Sequence, residues 1–485
     1  MSRTLLVAAV AAAALLAGCT SASKAAPAPG ASAPSTPPVD TVDYATWQGG
    51  RSEPVAEPMY PQRGNAGLDV LHYGLDLDWS PEKKVLTGTA TLRLRPVEDA
   101  AEIKLDFTGL TVDSATVDAQ TVTASAAKEK LTVAAPVVAD KPVTLVVKYH
   151  GTPKTVKMPS RRGDADEGLG LHAGKDGTLW TMQEPWGAMT WYPANESPSD
   201  EALYDIGVTV PRGWSAVASG TPGPVDGQTF RYGSADPVAA YLVTLAVAKY
   251  RKTTAKGPGG LPLTYWSLPK THDKQLAVLK KSPQALAWLE KKFGRYPFPT
   301  GGVVLVDSIS GMETQQMITL GAGKGKWSKT RAEGLESTLV HEYAHHWFGD
   351  SVTPATWTDL WLNEGWAMYA QYLWEQDVYK FSDADLERFL RKADATLRKK
   401  SGPPGKPNPK YFAESNVYLC PAAMLKELND ALGDKKFFAL ATAWVQTQKN
   451  THQDRASFIA FVNKQTGKDF TKLINTWLDS KTTPK

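Results

Sequence analysis

Two histidines lie four residues apart and flank a glutamate in the segment His-Glu-Tyr-Ala-His. On a helix, residues with this spacing project from one face, so the imidazoles of His341 and His345 could bind one metal ion. Glu342 would then lie beside an open coordination position, where a carboxylate can act as a general base. His346 lies one position further around the helix, and we expect it to pack or to form a hydrogen bond rather than to bind the metal.

The five-residue pattern specifies the residue at only three positions, so the assignment of a metal site to it needs support from elsewhere in the chain. Glu364 provides a third candidate ligand, 19 positions after His345, in a segment with the apolar periodicity of a second helix. Zinc bound by two histidines and one glutamate keeps a fourth position for water, which is typical of catalytic rather than structural sites. The chain has only two cysteines, Cys19 and Cys420, so a zinc site built from several cysteines is excluded.

The segments that must position these residues differ between the two halves of the chain. Residues 66–250 contain short alternating stretches separated by Gly, Pro and Asp, which predicts antiparallel strands. Residues 301–306, Gly-Gly-Val-Val-Leu-Val, predict a buried strand, and the rest of the chain after about residue 255 has mainly helical periodicity. The predicted fold class is therefore a multidomain α and β protein, with an N-terminal antiparallel β-sandwich or saddle domain (61–250) and a mostly α-helical domain (251–485).

The overall composition is that of a globular protein. Of 485 residues, 42% are hydrophobic and 21% are charged, which excludes collagen-like, coiled-coil and fully disordered chains. Lys and Arg number 54 against 50 for Asp and Glu, a net charge of +4. A nucleic-acid-binding protein of this length usually has a stronger basic excess, so the composition predicts no nucleic-acid partner.

The N-terminus predicts a targeting signal. Arg3 is followed by an apolar run from Leu5 to Leu16, which is too short to span a bilayer and fits a signal-peptide core. The run ends in Leu-Ala-Gly-Cys, which resembles the lipobox of bacterial lipoproteins. The resemblance implies a signal peptide at 1–19, a lipid on Cys19 and an extracytoplasmic, membrane-anchored location at the cell surface or periplasmic face. The alternative is an ordinary secretory signal with an incidental cysteine.

Residues 20–60 are rich in Ala, Pro and Ser, with few bulky apolar side chains. Such a segment buries too little surface to fold, so we predict a disordered tether between the lipid and the folded protein. If Cys19 carries the lipid, Cys420 has no partner within the chain and is expected to be a buried free thiol.

The long segment 341–370 resembles the aminopeptidase N type of zinc metallopeptidases, a gluzincin family. Residues 68–80 and 86–94 resemble the opening strands of that family, and residues 183–211 resemble its substrate-gating region. Met368 stands where the thermolysin branch typically has an aspartate, which favours the aminopeptidase branch. The resemblance covers about 60–480. It implies a thermolysin-like catalytic domain, a short two-domain form and one zinc ion per chain. We expect the chain to be a monomer.

The resemblance also implies a role for each candidate residue. His341, His345 and Glu364 would bind zinc, and Glu342 would be the general base. Tyr418 lies in a Val-Tyr-x-x-x-Ala pattern and would donate a hydrogen bond to the oxyanion that forms during hydrolysis.

Two further carboxylates would recognise the amine of the substrate. Residues 310–315, Ser-Gly-Met-Glu-Thr-Gln, resemble a family motif of the form Gly-x-Met-Glu-Asn, which places Glu313 at the α-ammonium group. Glu184 would share this ammonium, and Gly311 and Met312 would contact the substrate. Because only a chain end carries a free ammonium group, such a site would remove one residue from an N-terminus.

The sequence departs from the family at Thr314 and Gln315 and at Cys420 and Pro421, which leaves side-chain specificity open. The chain ends near 458–480, at what resembles the end of the catalytic domain, so we expect an open active site. The predicted function is a zinc aminopeptidase that acts on peptides with a free N-terminus outside the cytoplasmic membrane. The alternatives are a non-catalytic lipoprotein that captures peptide N-termini and a zinc endopeptidase.

Overall fold

The structure is a computed structural model, and it describes residues 43–160, 168–270, 272–323 and 326–485. The predicted signal peptide, the lipid attachment at Cys19 and residues 20–42 of the predicted tether lie outside the described residues.

The last part of the predicted tether, residues 43–60, is ordered, which corrects that prediction. A 3-10 helix spans Tyr44–Gly50, and the ring of Trp47 stacks on His72 at a centroid distance of 3.8 Å. Tyr60 is 4% exposed. The segment is poor in apolar residues, but the few aromatic ones it has pack on the folded part of the chain, which average composition does not reveal.

The N-terminal half is built from strands. In chain order they are β1 (Leu68–Ser80), β2 (Val85–Pro96), β3 (Ile103–Asp106), β4 (Thr111–Val117), β5 (Gln120–Val122), β6 (Ala124–Ala127), β7 (Lys130–Val133), β8 (Val143–Gly151), β9 (Gly170–Ala173), β10 (Leu179–Met182), β11 (Glu201–Thr209), β12 (Ser215–Ala218), β13 (Thr221–Pro222), β14 (Thr229–Gly233), β15 (Val238–Ala239) and β16 (Leu245–Ala248).

The largest sheet has the strand order β13-β14-β11-β1-β2-β8-β4-β5, with β15 paired to β11. Ala90, Leu92 and Leu94 of β2 are fully buried, as their alternation predicts. The strands of the main path pair antiparallel except β1 and β11, which are parallel. These two strands are far apart in the chain, so no short turn sets their relative direction. Smaller sheets have the orders β12-β16-β10-β9 and β3-β7-β6.

The C-terminal half combines a second mixed sheet with helices. Its strands are β17 (Arg251–Lys256), β18 (Pro262–Ser267), β19 (Gly301–Val306), β20 (Gly311–Met312), β21 (Ile318–Gly321), β22 (Val352–Pro354) and β23 (Thr451–Gln453). Its helices are α1 (His272–Leu279), α2 (Ser282–Phe293), α3 (Lys329–His345), α4 (Trp361–Tyr379), α5 (Asp383–Ser401), α6 (Asn416–Leu432), α7 (Asp434–Gln448), α8 (Arg455–Thr466) and α9 (Thr471–Asp479). The main sheet has the order β17-β18-β19-β21-β20, and β19 is buried along its whole length, as predicted.

Two helices carry the candidate metal ligands. Helix α3 begins after Ser328, whose side chain accepts a hydrogen bond from the backbone N–H of Arg331 and so caps the helix. Helix α4 follows, and its first half is buried almost completely around Trp361 and Trp366. These large side chains anchor the helix in the apolar core, which fixes the register of the residues that α4 presents to α3.

The apolar core of the N-terminal half extends into the C-terminal half. It includes Met312, Trp357, Phe412 and Val417, and the half-buried Tyr418 packs against it. A second core lies among the helices and the sheet of the C-terminal half. The predicted boundary at residues 250 and 251 stays a prediction. No helix among the described residues has both the length and the apolar character needed to cross a membrane.

Candidate active site

The side chains of the three predicted metal ligands lie next to one another. His341 and His345 lie in the buried last turns of α3, and their Nε2 atoms are 3.1 Å apart. Glu364 comes from the first turn of α4, and its Oε2 atom lies 3.3 Å from each Nε2. All three side chains are at least nine-tenths buried. The helical spacing therefore brings the two imidazoles together, as predicted, and the packing of α3 on α4 adds the carboxylate.

This triangle fits a tetrahedral zinc ion. Bonds of about 2.0–2.1 Å at tetrahedral angles place neighbouring ligand atoms about 3.3–3.4 Å apart, close to the spacing of these three atoms. The Nδ1 atom of His345 lies 3.2 Å from the carbonyl oxygen of Phe348. A proton on Nδ1 would be donated to this carbonyl, which leaves the Nε2 lone pair directed at the metal position. Burial alone would raise the pKa of Glu364, but the two histidines outweigh it and hold this pKa below its ordinary value.

A cavity of about 500 Å³ opens in front of the triangle. Its lining includes every candidate catalytic, metal-binding and amine-binding residue of the sequence analysis except Met312. The full lining is Glu184, Ser310, Gly311, Glu313, Thr338, His341, Glu342, His345, Glu364, Met368, Gln371, Lys400, Ala413, Glu414, Ser415, Tyr418 and Leu419.

Glu342 is 6% exposed and lies beside the metal triangle without belonging to it. Burial raises the pKa of this carboxyl above its ordinary value, and the nearby carboxylate of Glu313 raises it further. One atom each of Glu313, Glu342 and His345 lie within 4.8 Å of one another. The proposed base and the proposed amine anchor therefore lie next to each other in the same cavity.

Gly311 lets the backbone of β20 approach the proposed base. A Cβ atom at this position would lie 2.3 Å from Oε1 of Glu342 and 3.2 Å from Cδ2 of Leu320. Contacts under about 3 Å between non-bonded carbon and oxygen cannot persist, so the carboxylate would have to move. The glycine predicted to contact substrate thus also leaves the space that Glu342 occupies.

We expect Gly311→Ala to lower kcat by about tenfold, because a displaced general base loses its alignment with the reacting water. The zinc content should stay at one ion per chain, since Gly311 is not one of the three predicted metal ligands. Steady-state kinetics together with metal analysis would check this expectation. Gly334→Ala on α3 is a matched control, because a Cβ there meets open space. Equal kcat values for Gly311→Ala and the parent protein would contradict it.

Glu313 and Glu184 are 4% and 7% exposed and both line the cavity. Met312 lies between Gly311 and Glu313 in the extended chain, and its side chain packs in the apolar core rather than lining the cavity. Successive side chains of an extended chain point to opposite sides, which explains the difference. The substrate contact predicted for Met312 stays a prediction, and its side chain lies away from the cavity.

Tyr418 projects into the cavity from the first turn of α6. Its ring lies beside that of His341, with centroids 6.0 Å apart and planes inclined by 21°. Helix α4, which carries Glu364, and helix α6, which carries Tyr418, lie very close together here. A Cβ atom on Gly365 of α4 would lie only 2.6 Å from Cβ of Pro421 in α6. Gly365 directly follows Glu364, so this contact sets the distance between the metal triangle and Tyr418.

The departures from the family motifs lie outside the cavity lining. Thr314 and Gln315 are fully buried; the Thr314 hydroxyl forms a hydrogen bond with Thr319, and the Gln315 amide donates to the carbonyl of Pro237. Cys420 is a buried free thiol, as predicted, and burial raises its pKa.

His346 does not line the cavity. Its Nδ1 atom forms a hydrogen bond of 2.7 Å with the hydroxyl of Tyr296. Burial lowers the pKa of His346 to about 3, so the ring stays neutral. The hydrogen bond predicted for His346 is present.

Two charged residues of the cavity, Lys400 and Glu414, were not predicted from the sequence. Lys400, near the end of α5, forms an ion pair of 3.0 Å with Glu414, which lies in the segment that leads into α6. Lys400 belongs to a basic stretch whose composition predicts a solvated surface. No local signal distinguishes it from Lys399, because only the packing of α5 beside α6 brings it to the cavity.

Two family models match the chain. The model described as the peptidase M1 N-terminal domain matches residues 70–229, and the model described as the peptidase family M1 domain matches residues 278–477. Leucine aminopeptidase 2-2 of Meyerozyma guilliermondii is 27% identical over 63% of this chain and 48% of its own length. Aminopeptidase N of Streptomyces lividans is 26% identical over 63% of this chain and 36% of its own length. The matches thus span less than half the length of these two relatives.

Solved structures extend the likeness over most of the chain. An M1 zinc metallopeptidase from Deinococcus radiodurans matches with a TM-score of 0.77 and 27% identity, over 89% of this chain and 98% of that chain. A mutant of this M1 zinc metallopeptidase bound to a Tyr-Ser-Ala substrate matches with a TM-score of 0.76 and 27% identity, over 89% and 99% of the two chains.

Proposed function

Because the chain belongs to peptidase family M1, we propose that it is a zinc aminopeptidase that removes the N-terminal residue from peptides. One observation carries this proposal. A single cavity combines a metal triangle, a neighbouring carboxylate suited to act as a base and two further carboxylates, Glu313 and Glu184, that can bind an ammonium group. The peptide-bound structure of the Deinococcus radiodurans relative supports peptides as the substrate class.

In this proposal His341, His345 and Glu364 hold the zinc ion. When bound, zinc lowers the pKa of a water ligand towards neutrality and polarises the substrate carbonyl. Glu342 takes a proton from the attacking water and passes it to the leaving amine, a role that its raised pKa suits. Tyr418 donates a hydrogen bond to the oxyanion, which strengthens as charge develops on that oxygen.

Glu313 and Glu184 fix the position of the substrate's N-terminus relative to the metal triangle. Their carboxylates bind the α-ammonium group, while the first peptide bond lies at the metal triangle. A peptide without a free amine could not form charge-assisted hydrogen bonds with these two buried carboxylates, and losing them costs several kcal/mol. This penalty favours cleavage after the first residue and argues against the endopeptidase alternative. A protein that only captures peptides would need neither Glu342 nor Tyr418.

We expect the purified protein to release free amino acid from aminoacyl-anilide substrates, and a chelator should abolish this release because the reaction needs zinc. Added zinc should restore it. The measurement is the absorbance of the released aniline over a panel of N-terminal residues. Absence of turnover by the zinc-loaded protein on the whole panel would favour the capture alternative. An N-acetylated peptide cut as fast as its free-amine counterpart would favour the endopeptidase.

We further propose that the enzyme acts outside the cytoplasmic membrane, anchored by a lipid on Cys19. The support is the sequence of residues 1–19 alone. Metabolic labelling with palmitate, compared between the parent chain and Cys19→Ser, tests this location. A label retained by the serine variant would contradict the lipid anchor.

A further inference from the structure

Tyr60 is a buried aromatic residue in a segment without regular secondary structure. It is 4% exposed, and its ring contacts two parts of the chain that are far apart in sequence. The ring of Trp186 meets it edge to face, with centroids 4.6 Å apart, and the ring of Phe412 lies 6.0 Å away. We propose that residues 57–63, which we call the N-terminal clasp, position two walls of the active-site cavity, with Tyr60 as the central positioning residue. This inference rests on the proposed function.

The first wall carries the proposed amine anchor. Trp186 follows Glu184 by two residues and is 3% exposed. The guanidinium group of Arg63 lies 4.7 Å from the centre of the Trp186 ring, and it is held by an ion pair of 2.5 Å with Glu129. Trp186 is therefore covered by both Tyr60 and Arg63. Because only one residue separates Glu184 from Trp186, a shift of this ring would move the anchor carboxylate.

The second wall carries the proposed oxyanion donor. The Tyr60 hydroxyl donates a hydrogen bond of 3.1 Å to the carbonyl oxygen of Pro409. Phe412, which contacts the Tyr60 ring, directly precedes Ala413 of the cavity lining, and the chain then leads into α6 and Tyr418. Tyr418 packs against the same apolar core that includes Tyr60 and Phe412.

A third contact fixes the clasp itself. The buried carboxylate of Glu57 accepts hydrogen bonds of 2.7 Å from the backbone N–H groups of Met59 and Trp357. Trp357 in turn contacts Phe412 edge to face, with centroids 5.4 Å apart. The clasp is thus bonded to the C-terminal half at two backbone groups, those of Trp357 and Pro409. A segment that only linked the folded protein to a membrane would not need these buried contacts.

The contacts give the clasp an effect on catalysis as well as on stability. Tyr60 lies between two segments of the chain. One segment carries Glu184, which is proposed to bind the amine, and the other leads to Tyr418, which is proposed to bind the oxyanion. Small misplacements of such groups are costly, since a displacement of about 1 Å can reduce a rate by about 100-fold. Loosening the first wall should raise KM through Glu184, and loosening the second should lower kcat through Tyr418.

The test compares Tyr60→Leu and Tyr60→Phe with the same changes at Tyr44. The hydroxyl of Tyr44 forms a hydrogen bond of 2.7 Å with Thr144 of β8, and neither residue lines the cavity. Tyr60→Leu should lower kcat/KM for a free-amine anilide by about tenfold or more, with KM and kcat both affected and zinc content unchanged. Tyr60→Phe, which loses only the hydrogen bond, should lose about threefold. The Tyr44 variants should stay within about twofold of the parent protein.

Binding of L-tryptophan, followed by calorimetry, gives a readout that does not depend on turnover. We expect Tyr60→Leu to raise its Kd by about tenfold, because the ammonium group of the amino acid needs Glu184 in place. If the parent protein shows no turnover, the proposed function fails, and the Kd comparison still tests the clasp. If Tyr60→Leu does not fold, the kinetic constants and Kd of Tyr60→Phe provide the test of the clasp. A folded, zinc-loaded Tyr60 variant with the kcat, KM and Kd of the parent protein overturns the inference, and so do equal losses at Tyr44.

Discussion

Glu342→Gln is expected to lower kcat by about 10²–10⁴-fold while the zinc content stays unchanged. Glutamine keeps the size of the side chain and can still accept a hydrogen bond, but it cannot take a proton from water. The metal should remain bound, because Glu342 is not part of the triangle of His341, His345 and Glu364. The measurement is kcat at saturating substrate, with metal analysis of the same sample.

Glu333→Gln provides the matched control for this change. Glu333 lies on the same helix as Glu342, and its side chain is 39% exposed in an ion pair with Lys329. The substitution is chemically identical, but it changes only a surface charge, so kcat should stay within about twofold of the parent value. Unchanged turnover in Glu342→Gln would refute the assigned base. Loss of zinc in that variant would instead show that Glu342 supports the metal.

The metal triangle is the part of the site that local sequence could predict. Helical periodicity brings residues four apart to one face, so the pair of His341 and His345 follows from α3 alone. The position of Glu364 in the triangle depends on two further features, the second helix α4 and the packing of α4 against α3. The sequence signals the helix, but its packing on α3 depends on contacts made throughout the core, such as those of Trp361 and Trp366.

The features that sequence analysis missed are all set by contacts between distant parts of the chain. Lys400 reaches the cavity only because α5 lies beside α6, whereas the adjacent Lys399 is exposed and does not line the cavity. The parallel pairing of β1 and β11 joins strands with no short turn between them. Residues 43–60 have a disordered composition, but Tyr60 finds aromatic partners from two other segments. Composition and periodicity describe neighbours in sequence, so they do not report such contacts.

Glu313→Ala should remove most of the preference for substrates with a free amine. Without this carboxylate, the ammonium group loses one of its two buried partners, and we expect kcat/KM for a free-amine substrate to fall by about 100-fold or more. The much lower rate on an N-acetylated analogue should change little, since that substrate has no ammonium group to bind. The measurement is the ratio of kcat/KM values for the two substrates. Asp307→Asn is a suitable control, because it removes an exposed carboxylate six residues earlier in the chain.

Thermal stability separates this effect from general damage to the fold. Glu313 lies close to Glu342 in a buried site and raises the pKa of that carboxyl, so a negative charge on either carboxylate disfavours a negative charge on the other. Replacing Glu313 by alanine removes this electrostatic penalty, and Tm should therefore stay the same or rise. A lower Tm in step with the lost activity would point to a structural role for Glu313. An unchanged preference for the free amine would contradict the anchor, because the carboxylate would then contribute nothing to distinguishing a chain end from an internal peptide bond.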